Sequence, residues 1–570
     1  MEKWFITMKK ADFGQIAQKY HISPILARLI RNRDIIEDED INFYLNGTIA
    51  DLYDGMLMRD MDRAVEILSE KIKEGKSIRV IGDYDIDGVN ATYVLQEGLS
   101  KLGGIVDTDI PDRMKDGYGL NRVLIDRALD DGIDTIITCD NGIAAVEEIA
   151  YGKQEGLTII VTDHHEVPYM EAGGEKEYMM PQADAVVDPH RPDCEYPFKG
   201  LCGTAVAYKL IEALYEVMQR DVDDIDYLME NVAIATVGDV MDLTGENRVF
   251  VKQGLEMLKC THNEGLKALM ECTKVPVERL SAYHIGFVLG PCINASGRLD
   301  TAKRALELLK ASSRRDAVML AEDLKALNDS RKEMTEKGVE QAVQQIEEAP
   351  LKEDKVLIVY LPDCHESIAG IIAGRIREKY HRPTFVLTKG EEGVKGSGRS
   401  IPAYNMFEEM CRCRALFTKF GGHKLAAGLS LPEENVDRFR ETMNQLADLS
   451  EEDLLPKVSI DMQLPLCHVT EVLAEELELL EPFGKGNTKP LFAEKNLEVL
   501  RPRIVGKNQN VLKFQVRDAL GNVMEAVYFG DAGACMEYMS QKKDLSFTFY
   551  PGVNEYMGVR TLQLTVVNYQ

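Results

Sequence analysis

The sequence predicts a protein with two α/β domains, a long helix that connects them and a C-terminal all-β domain. Between residues 77 and 165, short β-branched runs alternate with helical patterns, and this alternation predicts a parallel sheet covered by helices. A second α/β pattern starts at KVLIVYLP and continues to about residue 431. Short strand-like runs from KVSIDMQL to TLQLTVVNY then fit a closed or sandwiched β-domain.

The first α/β region supplies its strands in regular order. Its apolar runs are SIRVIG, GGIVDTDIP, DTIITCD and LTIIVTD, and the intervening helical patterns cover residues 90–101, 122–128 and 144–154. Helical periodicity then dominates from residue 203 to about 241. We therefore expect a sheet of parallel strands, followed by a helical extension.

A long helix is predicted to join the two α/β domains. Its six aliphatic positions on one face are Leu320, Leu324, Leu327, Val339, Val343 and Ile346. The pattern ends at Pro350, because proline cannot continue the interior of a helix. We divide the chain into an N-terminal segment (1–50), an α/β domain (51–315), the connecting helix (316–350), a second α/β domain (351–453) and a β-domain (454–570).

The composition describes an ordinary globular protein of 570 residues, of which 45% are hydrophobic and 28% are charged. The start MEKWFITMKK does not resemble a signal peptide, and no apolar run is long enough to span a bilayer, so we expect a cytoplasmic protein. The eleven cysteines are scattered without a C-x-x-C pair, which indicates reduced thiols rather than a zinc site. A formal net charge of -28 argues against a whole surface that coats nucleic acid, but it allows a local basic channel.

The stretch VIGDYDIDG places three carboxylates at alternate positions, Asp83, Asp85 and Asp87. A D-x-D-x-D-G sequence can open a calcium-binding EF-hand loop, but that loop closes with a Glu at its twelfth position, where this chain has Val94. The stretch also follows a predicted strand rather than a helix. Two interpretations remain open for this stretch alone: a metal site at the carboxyl end of a strand, or an acidic solvated turn.

Further acidic and histidine residues stand at corresponding places along the chain. Asp140 follows the run TIITC, residues 163–165 (DHH) follow LTIIVT, and Asp239 follows the helical run VAIATV. Parallel strands point their carboxyl ends to the same edge, so these groups should converge with Asp83 and Asp85 on one rim. Converging carboxylates repel each other unless cations neutralise them, and a mixed oxygen and imidazole shell suits Mn²⁺ or Mg²⁺.

The motifs together resemble those of the DHH phosphoesterase superfamily, and within it the RecJ family of single-strand-specific exonucleases. GDYDIDG, TCDNGI, VTDHHEVP and ATVGDVMDLTGENR match the first four motifs in order, and GPCINASGRL, HESIAGIIAGRI, KGSGRSIP and FGGHKLAAGLSL match later ones. EPFGKGN (481–487) resembles the entry to the oligonucleotide-binding (OB) barrel of that family. The resemblance implies a parallel-sheet DHH domain, a second, DHHA1-like α/β lobe and an OB-fold domain.

The resemblance also implies a metal centre. The residues that it assigns to two divalent cations, Mn²⁺ or Mg²⁺, are Asp83, Asp85, Asp140, His164 and Asp239. His165 is implied as an orienting or proton-donating neighbour, and Asp87 as a support for the ligands. Ile81 stands where some relatives carry a metal-binding His, and Cys292 where relatives often have Arg.

The second lobe is expected to bind the phosphates of the substrate, because the acidic rim alone would repel a polyanion. The candidate phosphate-binding residues are Arg113, Asn294, Arg298, Arg375, Ser397, Arg399 and His423. Ser397, Arg399 and His423 are flanked by glycines, which let backbone N–H groups approach an oxyanion. Arg375 lies on a predicted helix, and for this residue we favour the alternative of a surface ion pair.

The β-domain is predicted to hold the single strand. Between residues 485 and 517, its basic residues are Lys485, Lys489, Lys495, Arg501, Arg503, Lys507, Lys513 and Arg517, against only Glu494 and Glu498. Such an excess of positive charge favours binding of a phosphate backbone. Phe483, Phe492 and Phe514 are candidates for stacking on bases; the alternative is packing in the barrel core, which we favour for Phe514.

The resemblance implies a metal-dependent exonuclease that degrades single-stranded DNA from 5′ to 3′ into mononucleotides, in DNA repair and recombination. Two alternatives stay open: a phosphodiesterase that acts on short oligonucleotides or cyclic dinucleotides, and a DNA-binding scaffold with impaired catalysis. The expected partner is single-stranded DNA. A single-strand-binding protein and a helicase are candidate protein partners, and we expect a monomer that does not associate with membranes.

Overall fold

The computed structural model describes residues 2–113, 116–117, 119–172, 175–348, 350–390, 393–556 and 558–570. The chain begins with a short strand and three helices, β1 (Lys3–Ile6), α1 (Phe13–Tyr20), α2 (Pro24–Asn32) and α3 (Asp38–Asn46). Ser23 starts α2 because its hydroxyl accepts the N–H of Leu26, and a proline occupies the first helical position.

The first lobe is built on a parallel sheet with helices on its faces. Its elements are α4 (Met61–Lys73), β2 (Ser77–Ile81), α5 (Ile86–Lys101), β3 (Ile105–Asp109), α6 (Arg122–Asp130), β4 (Thr135–Cys139), α7 (Val146–Gln154), β5 (Thr158–Thr162), the hairpin β6 (Tyr169–Ala172) and β7 (Glu175–Tyr178), and β8 (Ala185–Val187). The strand order is β3-β2-β4-β5-β8, and each neighbouring pair is parallel. From β2 the chain moves to one side for β3 and to the other for β4, so a ligand crevice is expected at the carboxyl ends of β2 and β4.

A helical extension completes this lobe. It consists of α8 (Gly203–Val217), α9 (Met229–Gly238), α10 (Gly245–Lys259), α11 (Glu264–Cys272), α12 (Ala282–His284), α13 (Gly290–Leu299) and α14 (Lys303–Lys310), with a π-helical turn at Ile285–Leu289. The extension shares one hydrophobic core with α4 and α5, and this core also contains Val80, Ile137 and Ile160 of the central strands. The helices therefore pack on the sheet and fix the positions of the residues at its edge.

The predicted connecting helix is present as α15 (Arg314–Glu348), which has 35 residues and is about 50 Å long. Its first half buries Ala317, Ala321 and Leu324 in the core of the first lobe. Its second half buries Ala342 and Ile346 in the core of the second lobe. One rigid element thus belongs to both cores and sets the distance between them.

The second lobe contains β9 (Leu357–Tyr360), α16 (Glu366–Tyr380), β10 (Thr384–Lys389), β11 (Val394–Arg399), α17 (Met406–Arg412), β12 (Lys419–His423), β13 (Ala426–Leu431) and α18 (Val436–Leu446). Its sheet has the order β12-β13-β11-β10-β9, in which only β9 and β10 are parallel. In this sheet Ser397 pairs with Gly428, and Gly428 pairs with Gly421. This row of small residues leaves the backbone of the sheet accessible.

The C-terminal domain is a β-barrel with two helices. Its elements are β14 (Lys457–Ile460), β15 (Met462–Gln463), α19 (Glu471–Leu477), β16 (Phe492–Val505), β17 (Val511–Arg517), β18 (Val523–Phe529), α20 (Ala532–Gln541), β19 (Leu545–Tyr556) and β20 (Val559–Tyr569). The sheet runs β15-β16-β17-β18-β20-β19, and pairing of β16 with β19 closes it. Phe492 and Phe514 are buried in the barrel core and Phe483 packs against that core. Packing in the core is thus confirmed for Phe514, and stacking on bases is wrong for Phe492.

The N-terminal segment is part of the barrel domain. β1 pairs in parallel with β14, and Leu26, Leu29 and Ile41 are buried in the barrel core. Residues 1–50 are predicted as a separate N-terminal segment, but they share the hydrophobic core of the barrel. Among the described residues, no helix is long and apolar enough to cross a bilayer.

Candidate metal centre and phosphate-binding cleft

Asp83 and Asp85 are fixed by a tight turn between β2 and α5. The carboxylate of Asp85 accepts the backbone N–H groups of Asp87 at 3.0 Å and Gly88 at 3.1 Å, so it caps α5. The turn leaves no room for a side chain at Gly82, since a Cβ there would lie 1.9 Å from Thr92 Oγ1. These contacts hold Asp83 and Asp85 at the carboxyl end of β2, as the sequence predicts.

Asp140 stands at the end of β4 in a left-handed backbone conformation, with φ 59°. Such a conformation is uncommon for a residue other than glycine, and it often marks a functional position. The neighbouring Asn141 donates its side-chain amide to the carbonyl of Ile81 at 3.1 Å and so ties the end of β4 to the end of β2. Asp140 is therefore buried beside Asp83 and Asp85.

Asp163 positions the two histidines of the triplet. One of its carboxylate oxygens accepts the N–H of His164 at 2.7 Å and the Nδ1–H of His165 at 2.7 Å. The other oxygen accepts the N–H of Ile143 at 2.9 Å. Burial alone would raise the pKa of Asp163, but these hydrogen bonds and the nearby histidines bring the pKa below its usual value.

His164 presents one ring nitrogen to the acidic cluster. Its Nδ1 lies 3.0 Å from the carbonyl of Leu201, to which an N–H at this atom donates. That tautomer leaves Nε2 with a free lone pair, and Nε2 lies 3.1 Å from Asp140 Oδ1 and 3.8 Å from Asp239 Oδ2. A histidine oriented by a backbone carbonyl in this way is typical of a metal ligand.

Asp87 supports the site from the side. Its carboxylate accepts the backbone N–H of Gly203 at 2.7 Å, and the N–H and hydroxyl of Thr204 at 2.8 and 2.6 Å. These bonds hold the N-terminus of α8 against the centre, where a Cβ at Gly203 would come 2.7 Å from Asp140 Cβ. Both oxygens of Asp87 thus have protein partners, which fits the supporting role that the resemblance implies.

The acidic and histidine side chains form three overlapping groups. Within each group, the donor atoms lie within 4.8 Å of one another. The groups are Asp83, Asp85 and Asp140; Asp87, His164 and Asp239; and Asp140, His164 and His165. Burial and the neighbouring carboxylates raise the pKa of Asp83 to about 7 and that of Asp239 to about 8. Among the described residues, Asp83 Oδ2 is buried without a hydrogen-bond partner.

This chemistry fits two divalent cations. Carboxylates that repel each other strongly, and a buried oxygen without a partner, are neutralised when a cation binds between them. Ile81 has no side-chain atom that can bind a cation, and it is fully buried in an apolar cluster with Leu120 and Leu124. The donor groups form without a ligand at position 81.

A cluster of arginines lies beside the acidic centre. Arg298 is half-buried and donates to the carbonyl of Ser367 at 3.0 Å. Burial and the neighbouring Arg113 and Arg331 lower the pKa of Arg298 to about 10. Burial and nearby arginines also lower the pKa of Arg399. Guanidinium groups that are crowded in this way are stabilised by a bound anion.

The remaining candidates surround this cluster. Ser397 and Arg399 face Gly370 on α16, where a Cβ would meet Arg399 Nη2 at 2.9 Å. His423 is exposed at the end of β12. Asn294 Oδ1 accepts the N–H of Ile86 at 2.9 Å, which leaves the amide nitrogen of Asn294 as its group for a phosphate.

Two further basic residues border the cleft. Arg113 packs over the ring of Tyr84 with its Cζ 5.1 Å from the ring centroid. Arg375 is exposed on α16, and within the described part of the chain it forms no ion pair with a carboxylate. The described residues therefore give no support to a surface ion pair at Arg375, and phosphate binding by Arg375 stays a prediction.

The sequence analysis missed Arg331 of α15. Its guanidinium donates to Asn328 Oδ1 at 3.1 and 2.8 Å, and the buried Asn328 contacts Cys292 Sγ at 3.3 Å. Arg331 contributes to the lowered pKa of Arg298, which places it at the same cleft. No local signal distinguished it from the exposed charged residues of the same helix, because only the fold brings α15 against α13.

Comparison with known proteins identifies each part of this architecture. Three family models match the chain: the DHH family, N-terminal domain, at residues 77–236; the DHHA1 domain at residues 353–448; and the RecJ OB domain at residues 460–568. The single-stranded-DNA-specific exonuclease RecJ of Bacillus subtilis is 34% identical over 572 residues, covering 99% of this chain and 70% of that protein. The RecJ of Escherichia coli is 32% identical over 572 residues, covering 96% of each chain.

Solved structures show the same relationship. The crystal structure of RecJ in complex with Mn²⁺ from Thermus thermophilus superposes with a TM-score of 0.84 and 26% identity, covering 100% of this chain and 79% of that one. The corresponding Mg²⁺ complex gives a TM-score of 0.79 with 26% identity, covering 100% of this chain and 78% of that one. With three matching domain models and relatives aligned over nearly its whole length, the chain belongs to the RecJ family of single-stranded-DNA-specific exonucleases.

Proposed function

We propose that this protein hydrolyses phosphodiester bonds of single-stranded DNA from 5′ to 3′, releases mononucleotides and requires Mn²⁺ or Mg²⁺. The observation that carries the proposal is the set of overlapping donor groups beside a cleft lined by crowded arginines. An acidic centre for cations and a basic cleft for an anion are the two parts that hydrolysis of a phosphodiester needs. The reaction serves DNA repair and recombination, as the family membership implies.

The acidic centre would hold the cations through five side chains, Asp83, Asp85, Asp140, His164 and Asp239. When bound there, divalent cations lower the pKa of water and stabilise negative charge on phosphate oxygens. Asp163 and Asp87 keep this arrangement in place: Asp163 orients both histidines, and Asp87 holds the N-terminus of α8. Neither needs to contact a cation in order to act.

His165 is suited to donate a proton to the leaving oxygen. Burial lowers its pKa, but the bond from Nδ1 to Asp163 and the other nearby carboxylates raise the pKa to about 9. In the metal-free protein the imidazole is then protonated at neutral pH. The bond from Nδ1 to Asp163 fixes the orientation of the ring, so a proton donated to the departing oxygen would come from Nε2.

The arginine cleft would bind the phosphates of the strand next to the bond that is cut. Arg298 and Arg399 are candidates for direct contact, with Arg113 and Arg375 at the border and Ser397, His423 and the amide of Asn294 as further hydrogen-bond donors. A buried guanidinium binds a phosphate through two parallel hydrogen bonds, which also fixes the orientation of the phosphate. Phosphate binding by these residues compensates for the repulsion between the strand and the acidic rim.

We also propose the setting in which the enzyme works. Single strands arise when a helicase unwinds a duplex, and free single strands are covered by a single-strand-binding protein, so both are candidate partners of a cytoplasmic monomer. Degradation assays with both proteins added would test this. Rates that do not change with either protein would contradict the proposed partnership.

The function is tested with single strands labelled at the 5′ or the 3′ end, in Mn²⁺, Mg²⁺ or EDTA. We expect early release of the 5′ label as a mononucleotide, and only with metal. Asp140→Asn should abolish release, whereas Asp130→Asn, an exposed change on α6, should not. Equal rates on dinucleotides and long strands would instead favour the phosphodiesterase of short substrates, and binding without turnover would favour the scaffold.

A further inference from the structure

A loop of the C-terminal domain packs directly against the segment that follows Asp239. The N–H of Leu243 donates to the carbonyl of Lys485 at 2.8 Å. Gly486 adopts φ 72°, and a Cβ at this position would lie 2.9 Å from Asp242 Cβ. The backbone of residues 483–487 therefore approaches the end of α9 as closely as glycine allows.

The loop is held in this position by a buried asparagine. The amide of Asn487 donates to the carbonyls of Leu480 and Pro482 at 2.7 and 2.8 Å. Its oxygen accepts the hydroxyl of Tyr44 at 2.9 Å and Arg33 Nε at 2.8 Å. Every hydrogen-bonding direction of this side chain is used, so the loop has a defined conformation before any substrate arrives.

A second contact fixes the loop to the first lobe. Arg248 of α10 is buried, and it donates to the carbonyls of Leu480 at 2.8 Å, Leu479 at 2.9 Å and Tyr44 at 2.9 Å. The first lobe, the N-terminal helices and the loop therefore meet at one set of hydrogen bonds. The backbone of residue 485 is in consequence attached to the catalytic lobe, although it belongs to the chain of the barrel domain.

The side chain of Lys485 reaches the acidic rim. Its Nζ lies 3.3 Å from Asp242 Oδ1, and the two side chains are 60% and 54% exposed. Lys485 is also one of the groups that oppose the rise in the pKa of Asp239. An exposed ion pair of this kind contributes little to stability, so Lys485 can exchange its partner at small cost.

We infer that Lys485 binds the backbone phosphate on the 3′ side of the bond that is cut, and that it exchanges Asp242 for this phosphate when a strand enters. This inference rests on the proposed function and adds a strand-binding residue from the barrel domain. In this inference, a strand cut at its 5′ end continues from the metal centre past the Asp242–Lys485 pair toward the barrel. Lys485 is the first residue of the basic run that ends at Arg517, and it is the member of that run paired with the rim of the centre.

The test measures binding of a fluorescein-labelled single strand to the full-length protein in EDTA, by anisotropy, at four salt concentrations. Lys485→Gln should weaken binding about three- to tenfold at low salt. Each phosphate contact contributes about 0.7 to the slope of log K against log salt for a single strand, so the slope should fall by about that amount. Lys352→Gln, which removes a lysine from an exposed ion pair with Glu347 in the second lobe, is the matched control and should leave the slope unchanged.

If Lys485 exchanges Asp242 for a phosphate, removing the carboxylate of Asp242 should raise the affinity for the strand, opposite to the effect of Lys485→Gln. Asp242→Asn frees Lys485 and should tighten binding about twofold, and the gain should be smaller when Lys485 is already glutamine, because only the direct repulsion between Asp242 and the strand is then removed. Cleavage by the wild-type protein in Mn²⁺ is measured separately, so a failure of the proposed function is distinguished from a failure of this inference. An unchanged affinity and salt slope in Lys485→Gln would overturn the inference, whether or not the wild type cleaves DNA.

Discussion

Replacing Asp239 by Asn should change the stability of the protein in opposite directions with and without metal. Burial and the neighbouring Asp87 and Asp85 raise the pKa of Asp239 to about 8, from an ordinary value of 3.8. A carboxyl whose pKa is raised on folding destabilises the fold above its unfolded pKa, and the loss grows as the pH rises toward the folded pKa. In the metal-free protein, the ionised Asp239 therefore lowers the free energy of unfolding near pH 8, and near pH 4 it has almost no effect on it.

The size of this cost follows from the pKa and from the exposure of the group. A rise from 3.8 to about 8 corresponds to an upper limit of about 6 kcal/mol. The side chain of Asp239 is 31% exposed, and solvent screening reduces the value, so we expect about 2 kcal/mol. Asparagine keeps the shape of the residue and removes the charge.

The assay is urea unfolding of wild type and Asp239→Asn at pH 5 and pH 8, in EDTA and in Mn²⁺. In EDTA at pH 8 the variant should be more stable by about 2 kcal/mol, and near pH 5 the difference should be much smaller. In Mn²⁺ the order should reverse, because the wild type gains the free energy of a bound cation that the variant binds less well. A variant that is destabilised equally at both pH values in EDTA would refute the reasoning.

Three further changes test other parts of the site. His164→Gln should weaken Mn²⁺ binding at least tenfold, measured from the electron paramagnetic resonance signal of free Mn²⁺. His165→Gln should leave Mn²⁺ binding within about twofold but lower turnover about a hundredfold. An equal loss of Mn²⁺ binding in both variants would contradict their different roles. Arg298→Gln should raise the KM for single strands about tenfold or more, because a charged hydrogen bond contributes about 1.5 to 3 kcal/mol. Arg298→Lys should restore part of the lost affinity. A fall in kcat without a change in KM would argue against phosphate binding by Arg298. Gly82→Ala should lower the free energy of unfolding in urea by about 1 to 3 kcal/mol, because its Cβ would overlap Thr92. Gly374→Ala, whose Cβ would enter open space, should not lower it. Similar losses in the two variants would contradict the tight turn at Gly82.

The convergence of the acidic residues could be predicted because it depends on a regular feature of the fold. Strands of a parallel sheet end at one edge, so Asp83, Asp85 and Asp140 had to meet once β2 and β4 were recognised as neighbours. The connecting helix could be predicted for the same reason, since the periodicity of its apolar face is a local property. In both cases a short stretch of sequence carries the whole signal.

Other features depend on contacts between residues far apart in the sequence. Asp87 meets the N-terminus of α8 across 116 residues, and Arg248 meets Leu480 across 232 residues. No periodicity encodes which distant group such a side chain contacts. Phe492 illustrates the same limit, because an alternating strand shows that its side chains point to two faces but does not show which face is the barrel interior.

The shared core of the N-terminal helices and the barrel has a consequence for biosynthesis. Leu26, Leu29 and Ile41 are buried against residues of the barrel that lie more than four hundred positions later in the chain, such as Leu464 and Val566. At roughly 5 to 20 residues per second, these helices are synthesised about 20 seconds or more before the surface that covers them. Their apolar faces are exposed throughout that time, which makes the nascent N-terminal segment a natural client for a chaperone.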